Sequence, residues 1–434
     1  MPPSTSPELA AVPESGKKPW FKKLGPGLIT GAADDDPSGI ATYSQAGAQF
    51  GFSMLWTVFF TYPLMVGIQL ISARIGRVSG RGLASNIRLH YPPWLLYGIV
   101  GLLLIANTIN IAADISAMGA ALRLVIGGPA QLYAVGFGIV SLLLQVFIPY
   151  KRYVRILKWF TLALLAYVAA VFVIRVPWGE ALTRTLAPHL SWKSEYITTV
   201  VAVFGTTISP YLFFWQASQE VEDLRANPHA EPLIKKPDQA KASLRDIKLD
   251  TFIGMGFSNL VAFFIILTTA ATLHLHGITD IQTSAQAASA LRPIAGDFAF
   301  LLFSAGIIGT GLLAIPVLAG SSAYAMSGAF KWKNSLEYAP LKAKGFYGII
   351  VLSTLIGVAV GFTSINPIKA LYWSAVVNGV ISVPIMVVMM LMAVQPKIMG
   401  RFILTPRLKA LGWLATLMMA LAVGAMFWTM RSAS

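Results

Sequence analysis

Long apolar runs alternate with short polar connections along the 434 residues, and the runs are apolar on every face instead of along one stripe. A helix that is apolar all round belongs in a protein core or a bilayer. Eleven runs approach or exceed the roughly 20 residues needed to cross hydrocarbon. They lie at residues 24–50, 54–75, 94–126, 132–148, 157–176, 196–219, 251–273, 298–330, 346–361, 370–393 and 411–430. Those at 132–148 and 346–361 are short. The pattern predicts an all-α polytopic membrane protein of about 11 transmembrane helices.

Two of the runs are interrupted. Residues 25–50 read GPGLITGAADDDPSGIATYSQAGAQF, so that Asp34, Asp35 and Asp36 followed by Pro37 and Gly39 fall inside an apolar stretch. Carboxylates at bilayer depth are costly, and the default reading is functional. Pro37 brings no backbone donor and Gly39 no side chain, so the helix is expected to unwind here and leave carbonyls without intrahelical partners. Unwound backbone survives at that depth only when packed in protein or lining a cavity. A carboxylate beside freed carbonyls suits a hard cation. The second interruption is Pro210, in the middle of TTVVAVFGTTISPYLFFWQASQEVED, expected to break the helix near residues 205–209 and to add the hydroxyls of Thr206, Thr207 and Ser209. Paired interruptions in corresponding positions of two halves mark a midplane binding site in inverted-repeat transporters.

Composition sharpens this picture. The chain is 56% hydrophobic and 12% charged, far below the roughly 25% charged residues of soluble domains. Its net charge of +15 would suit nucleic acid were it not for the placement of the 33 basic residues. Most of them fall at 17–23, 74–88, 151–158, 225–248, 331–344 and 397–409, between alternate runs. That is the positive-inside pattern; it accounts for the charge without a nucleic-acid partner, sets the N-terminus in the cytoplasm and, with eleven spans, the C-terminus outside. Residues 1–23 lack the apolar core of a signal peptide and read as a disordered cytoplasmic tail. There is no cysteine, which excludes disulfides and thiolate metal sites. Residues 222–250 read as a solvated cytoplasmic connection.

The residues around the two breaks resemble the NRAMP family of divalent-metal transporters, and the likeness extends over nearly all the spans. The run GPGLITGAADDDPSGIATYSQAGAQFG is similar to that family's first helix, with its Asp-Pro-Gly-Asn signature, and LISARIGRVSGRGLA to the segment after its second. The resemblance implies a LeuT-type fold: a first repeat at about 24–176, a second at about 196–393 and an extra helix at about 411–430, in one transporter domain spanning 24–432. Aligned residue by residue, Asp-Pro-Gly-Asn falls on Asp36, Pro37, Ser38 and Gly39, so the metal-binding aspartate is kept and the asparagine lost. The family's Met-Pro-His of helix six falls on Ser209, Pro210 and Tyr211, so thioether and imidazole are both missing.

Thioethers favour transition metals over Mg²⁺ and Ca²⁺, whereas hydroxyls and carbonyls do not. The losses at Gly39 and Ser209 are expected to widen the pocket and suit a partly hydrated Mg²⁺. The pattern resembles the NRAMP-related magnesium transporter branch, which implies transport of Mg²⁺ and also Mn²⁺. The metal site expected is Asp36, the carbonyls near Ala33 and Thr206, Gly39 and the Ser209 hydroxyl. Asp35, Tyr211, Asn378 and Asp114 stand as further candidates. Asp34 and Asp35 either touch the hydrated ion or cap the broken half-helix.

Proton-coupled members of the family use the helix-six histidine and acids on helix three. Tyr211 does not titrate usefully near neutrality. Asp114 matches one of those acids, but Ala117 stands at the glutamate position. Asp114 shares a helical face with Asn107 and Asn110, which reads equally as interhelical glue or as pathway lining. Uncoupled, alternating-access transport driven by membrane potential is therefore expected; the alternative is a proton-coupled Mn²⁺/Fe²⁺ symporter. Gln216 and Glu220 share a face of span six and read as a gate, and the methionines at 386–392 as packing or lipid-facing. No HExxH occurs and no histidine lies within a run, so a membrane-embedded enzyme is not expected. The expected partners are a divalent metal ion and a lipid bilayer, with no cofactor beyond the transported ion, in a monomer in the cell membrane.

Overall fold

The computed structural model describes residues 30–31, 33–148, 160–363 and 365–433. The expected tail at 1–23 and the start of the span at 157–176 lie outside the described residues. The long helices are α1 (Pro37–Phe50), α2 (Leu55–Ser79), α3 (Pro93–Ile126), α4 (Ala130–Phe147), α5 (Ser194–Thr207), α6 (Pro210–Ala226), α7 (Ala240–Thr272), α8 (Ala299–Phe330), α9 (Lys344–Val360), α10 (Pro367–Ala393) and α11 (Pro406–Ala433). No strand occurs among the described residues.

Eight helical stretches of the described residues are long and apolar enough to cross a membrane, one of them the continuous Pro37–Ser79. The span at 346–361 is the shorter apolar helix α9. Only part of the run at 157–176 is described; there it forms a 3₁₀ turn, Phe160–Leu164, and the short helix Leu165–Ala170. One boundary moves substantially. Residues 240–250, read as solvated connection, are the first three turns of α7. KASLRDIKLD consists mostly of helix formers, and without an apolar stripe its helicity did not register as part of a span.

The inner layer is built from the broken helices and α3, α8 and α10. The full 18-residue apolar window of the 194–226 stretch is buried, against 33% for α11, which lies on the periphery. Close approach needs small residues. A Cβ on Gly205 of α5 would stand 2.1 Å from the Ala375 carbonyl oxygen and 2.5 Å from the Gly379 nitrogen of α10, so only glycine allows these backbones to meet. This contact fixes Asn378 of α10 at the height of the break in helix six. The methionines Met386, Met389, Met390 and Met392 are buried, which makes them packing residues.

Candidate metal site

Both expected breaks are present. Backbone is helical at 33–34, bends at Asp35, and is extended at Asp36 (φ −69°, ψ 170°) before α1 begins at Pro37. Asp36 is the N-cap: its Oδ1 accepts from the Gly39 N–H at 2.7 Å, and Pro37 occupies the first helical position, where its missing donor costs nothing. The cap is thus made by Asp36 itself and not by Asp34 or Asp35. In helix six, α5 ends at Thr207, Ile208 and Ser209 are non-helical, and α6 starts at Pro210.

These two breaks face each other. The Tyr211 hydroxyl of α6 donates to the Ala33 carbonyl at 3.1 Å, across from one broken helix to the other. A Cβ on Gly39 would lie 3.2 Å from Thr206 Oγ1 and 3.3 Å from the Tyr43 ring, so the room expected beside Gly39 is filled in this conformation. Asp36, Gly39, Ala33, Thr206, Ser209 and Tyr211 are therefore brought together, all buried.

The carbonyls freed by the breaks have found hydroxyl partners. Ser209 Oγ donates to the Gly205 and Thr206 carbonyls at 2.7 and 2.8 Å, as Tyr211 does to Ala33. A carbonyl has two lone pairs, so one hydroxyl on each leaves capacity for a cation or its water. The second carboxylate oxygen of Asp36 accepts from Asn110 Nδ2 of α3 at 2.8 Å. Asn110 Oδ1 has no hydrogen-bond partner among the described residues, and neither has Asn378 Oδ1 nor either carboxylate oxygen of Asp114, a turn further along α3. All three side chains are buried to within 1% of full burial. Asn107 binds α8 through its amide nitrogen, which donates to Leu318, Ser321 and Ser322, while its Oδ1, like those of its neighbours on the stripe, has no partner among the described residues.

Asp35 and Asp34 turn elsewhere. The Ser258 hydroxyl of α7 contacts Asp34 Oδ2 at 2.5 Å and Asp35 Oδ1 at 3.0 Å, placing both acids against α7 beside the central cluster. Gln216 and Glu220 do share a face: Thr30 Oγ1 donates to Gln216 Oε1 at 2.6 Å, and Gln216 Nε2 to Glu220 Oε1 at 3.4 Å, linking the segment before the first break to α6. Among the described residues no group of three or more His, Cys, Asp or Glu side chains is placed to hold a metal. An ion at Asp36 would meet that carboxylate and neutral oxygens, with the Asp114 carboxylate a turn beyond Asn110 on α3.

Sequence reading missed Gln69. It is buried, and neither amide heteroatom has a hydrogen-bond partner among the described residues. On α2, Ser72 donates to the Phe213 carbonyl at 2.5 Å and Gly76 lies against Ala217. Gln69 is one turn before Ser72 on the same face, which sets it at the register of Ser209 and Pro210. Its only signal in the sequence is a lone amide inside an apolar run.

The family model for Nramp, "Natural resistance-associated macrophage protein-like", matches residues 27–429. The chain belongs to the Nramp family. The match covers both breaks and all eleven labelled helices but the last residues of α11. A relative from Klebsiella pneumoniae, named a divalent metal cation transporter, MntH, is 25% identical over 404 residues and 92% of each chain. Another of that name from Erwinia tasmaniensis is 28% identical over 305 residues, 69% of this chain and 70% of the relative. In structure the Nramp chain is similar to the Eremococcus coleocola manganese transporter, with a TM-score of 0.73 at 16% identity, covering 96% of this chain and 89% of that one. It is also similar to Mhp1, a nucleobase-cation-symport-1 family transporter, at a TM-score of 0.60 and 14% identity, covering 94% and 93%. The architecture is thus the LeuT-type one expected, and this multi-pass Nramp protein has transporters, not enzymes, as its named relatives.

Proposed function

We propose that this Nramp protein carries Mg²⁺, and Mn²⁺ with it, as a partly hydrated ion by alternating access through the site at Asp36. One observation carries the reading: where the two broken helices meet, the hydrogen-bond partners around the Asp36 carboxylate are hydroxyl, amide and backbone groups, and the positions of the family's helix-six thioether and imidazole hold Ser209 and Tyr211. Oxygen ligands do not select soft transition metals, and Mg²⁺ keeps several waters while binding one or two carboxylates. The unpartnered oxygens of Asn110, Asp114, Asn378 and Gln69 are suited to accept hydrogen bonds from those waters.

Transport is driven by the membrane potential and not by protons, since Tyr211 and Ala117 replace the titratable groups of the family's proton route. Moving two charges through ~100 mV yields about 4.6 kcal/mol, a ~10³-fold gradient, which suffices to accumulate Mg²⁺. The protein sits in the cell membrane, with the basic connections in the cytoplasm.

Reconstituted protein tests both parts. Mg²⁺ influx into proteoliposomes should fall to background in Asp36→Ala; undiminished flux would contradict the assignment. Acidification of the lumen that scales with metal flux would refute uncoupled transport. A second reading, a proton-coupled Mn²⁺/Fe²⁺ symporter, draws on the retained Asp114 and on the relatives named for divalent metal and manganese transport. Strong inhibition of uptake by Cd²⁺ would favour it.

A further inference from the structure

α10 ends at Ala393 and α11 begins at Pro406, and both are apolar and long enough to span a bilayer. The connection between them is too short to leave the headgroup layer. It is wound into the turns Pro396–Met399 and Gly400–Phe402, with Ile398 and Met399 buried beneath. Lys397 and Arg401 are exposed on it, as are Arg407 and Lys409 at the start of α11. No acidic residue follows Glu337 in the sequence, and these four side chains form no hydrogen bond or ion pair among the described residues. The Arg401 guanidinium lies over the Phe402 ring, 5.3 Å from its centroid. A Cβ on Gly400 would stand 3.6 Å from Ile234, so the connection packs against the segment that follows α6. In that segment Lys235 is exposed, and the acid, Glu231, is paired with Lys236 at 3.9 Å. Ile234 and Ile403, both large and apolar, are exposed beside these bases.

We infer that this surface docks an acidic phospholipid of the adjacent leaflet, its phosphate against Arg401 and the neighbouring bases and its upper acyl segments against Ile403 and Ile234. Topological bias alone places bases on this side, but acids contribute little to that rule, so it gives no reason to clear them away. A run of unpaired bases at headgroup depth, free of acids and set beside exposed isoleucines, matches an amphiphilic anion in both charge and polarity. A planar guanidinium also binds phosphate through two parallel hydrogen bonds, and the Phe402 ring holds that of Arg401 in place. The Leu233 and Ile234 N–H groups donate to the Arg77 and Val78 carbonyls, each at 3.3 Å, which ties the segment after α6 to α2. A lipid seated here therefore joins α11 to α2 and to the chain that leaves the second broken helix. The inference holds whichever ion the protein carries.

Lipid binding to the full chain in neutral detergent tests it, with retained phosphatidylglycerol and phosphatidylcholine of matched acyl chains counted by native mass spectrometry and the melting temperature as a second readout. Each base near an anionic surface is worth about fivefold, so wild type should retain phosphatidylglycerol at a roughly tenfold lower concentration than phosphatidylcholine. That preference should shrink in ~0.5 M salt. Lys397→Gln/Arg401→Gln should weaken phosphatidylglycerol binding ~tenfold, and Arg407→Gln/Lys409→Gln gives an independent reading should the first pair fail to fold. Lys342→Gln/Lys344→Gln removes the same charge from another basic connection and should leave binding within twofold. Equal retention of the two lipids by wild type, or equal loss in the Lys342/Lys344 pair, would reduce the effect to general attraction and overturn the site. A rise in melting temperature with glycerol 3-phosphate matching that with phosphatidylglycerol would name a soluble phosphate as the occupant and overturn the lipid.

Discussion

Asp36→Asn separates the two jobs of one side chain. As N-cap of α1, Asp36 accepts from the Gly39 N–H at 2.7 Å, and asparagine caps about as well as aspartate. The other oxygen accepts from Asn110 Nδ2, so a new amide would set two donors against each other unless Asn110 turns over. It is able to: its Oδ1 has no partner among the described residues and would become the acceptor. Fold stability should therefore change by no more than ~0.5 kcal/mol, whereas Asp36→Ala loses the cap at about 0.5–2 kcal/mol. The charge is another matter. A divalent ion ~4 Å from a carboxylate gains about 8 kcal/mol of gross attraction at an effective dielectric of ~20. Water recovers much of that; losing even a third is roughly a 100-fold effect. In proteoliposomes kcat/KM for Mg²⁺ should drop ~100-fold or more while thermal unfolding in detergent stays near wild type. A variant that unfolds normally and transports within threefold of wild type would refute the role of Asp36 as the charged ligand.

Other substitutions probe the neighbours. Ser209→Met places a thioether at the break of helix six and should raise Cd²⁺ inhibition of uptake at least tenfold relative to Mg²⁺, read by competition in the same vesicles. Tyr211→Phe removes the hydroxyl that donates to Ala33 across the two breaks, at a cost of about 1 kcal/mol. Because the chain has no cysteine, Ser218→Cys gives a single buried reporter, and adding Tyr211→Phe should speed its labelling from the side of the basic connections. Gln69→Leu removes two unpartnered buried polar atoms, so it should hold or raise the melting temperature, by the equivalent of about 1 kcal/mol, while slowing Mg²⁺ flux. Unchanged flux in that variant would remove Gln69 from the pathway.

What the sequence made legible was whatever depends on local chemistry. Acids and Pro37 inside an apolar run, and Pro210 inside another, located both breaks to within a few residues, since loss of a donor and the cost of a buried charge act where they stand. The direction each group faces depends on partners far along the chain. Asp34 and Asp35 sit in the same triplet as Asp36, yet Ser258, more than two hundred residues on, draws them to α7. The same holds for Ser209 and Tyr211: their types announced oxygen chemistry, but not that they would cover the very carbonyls expected to bind the ion. Gln69 escaped because its meaning comes only from the register of α2 on α6.

The central claim, that Asp36 and the oxygens around it carry Mg²⁺, is met most directly by Mg²⁺ uptake into proteoliposomes under an inside-negative potential with equimolar Cd²⁺ added. Mg²⁺ uptake that grows with the potential and is barely slowed by Cd²⁺ is the predicted result. Absence of Mg²⁺ uptake from vesicles that accumulate Mn²⁺, with Cd²⁺ blocking, would contradict it.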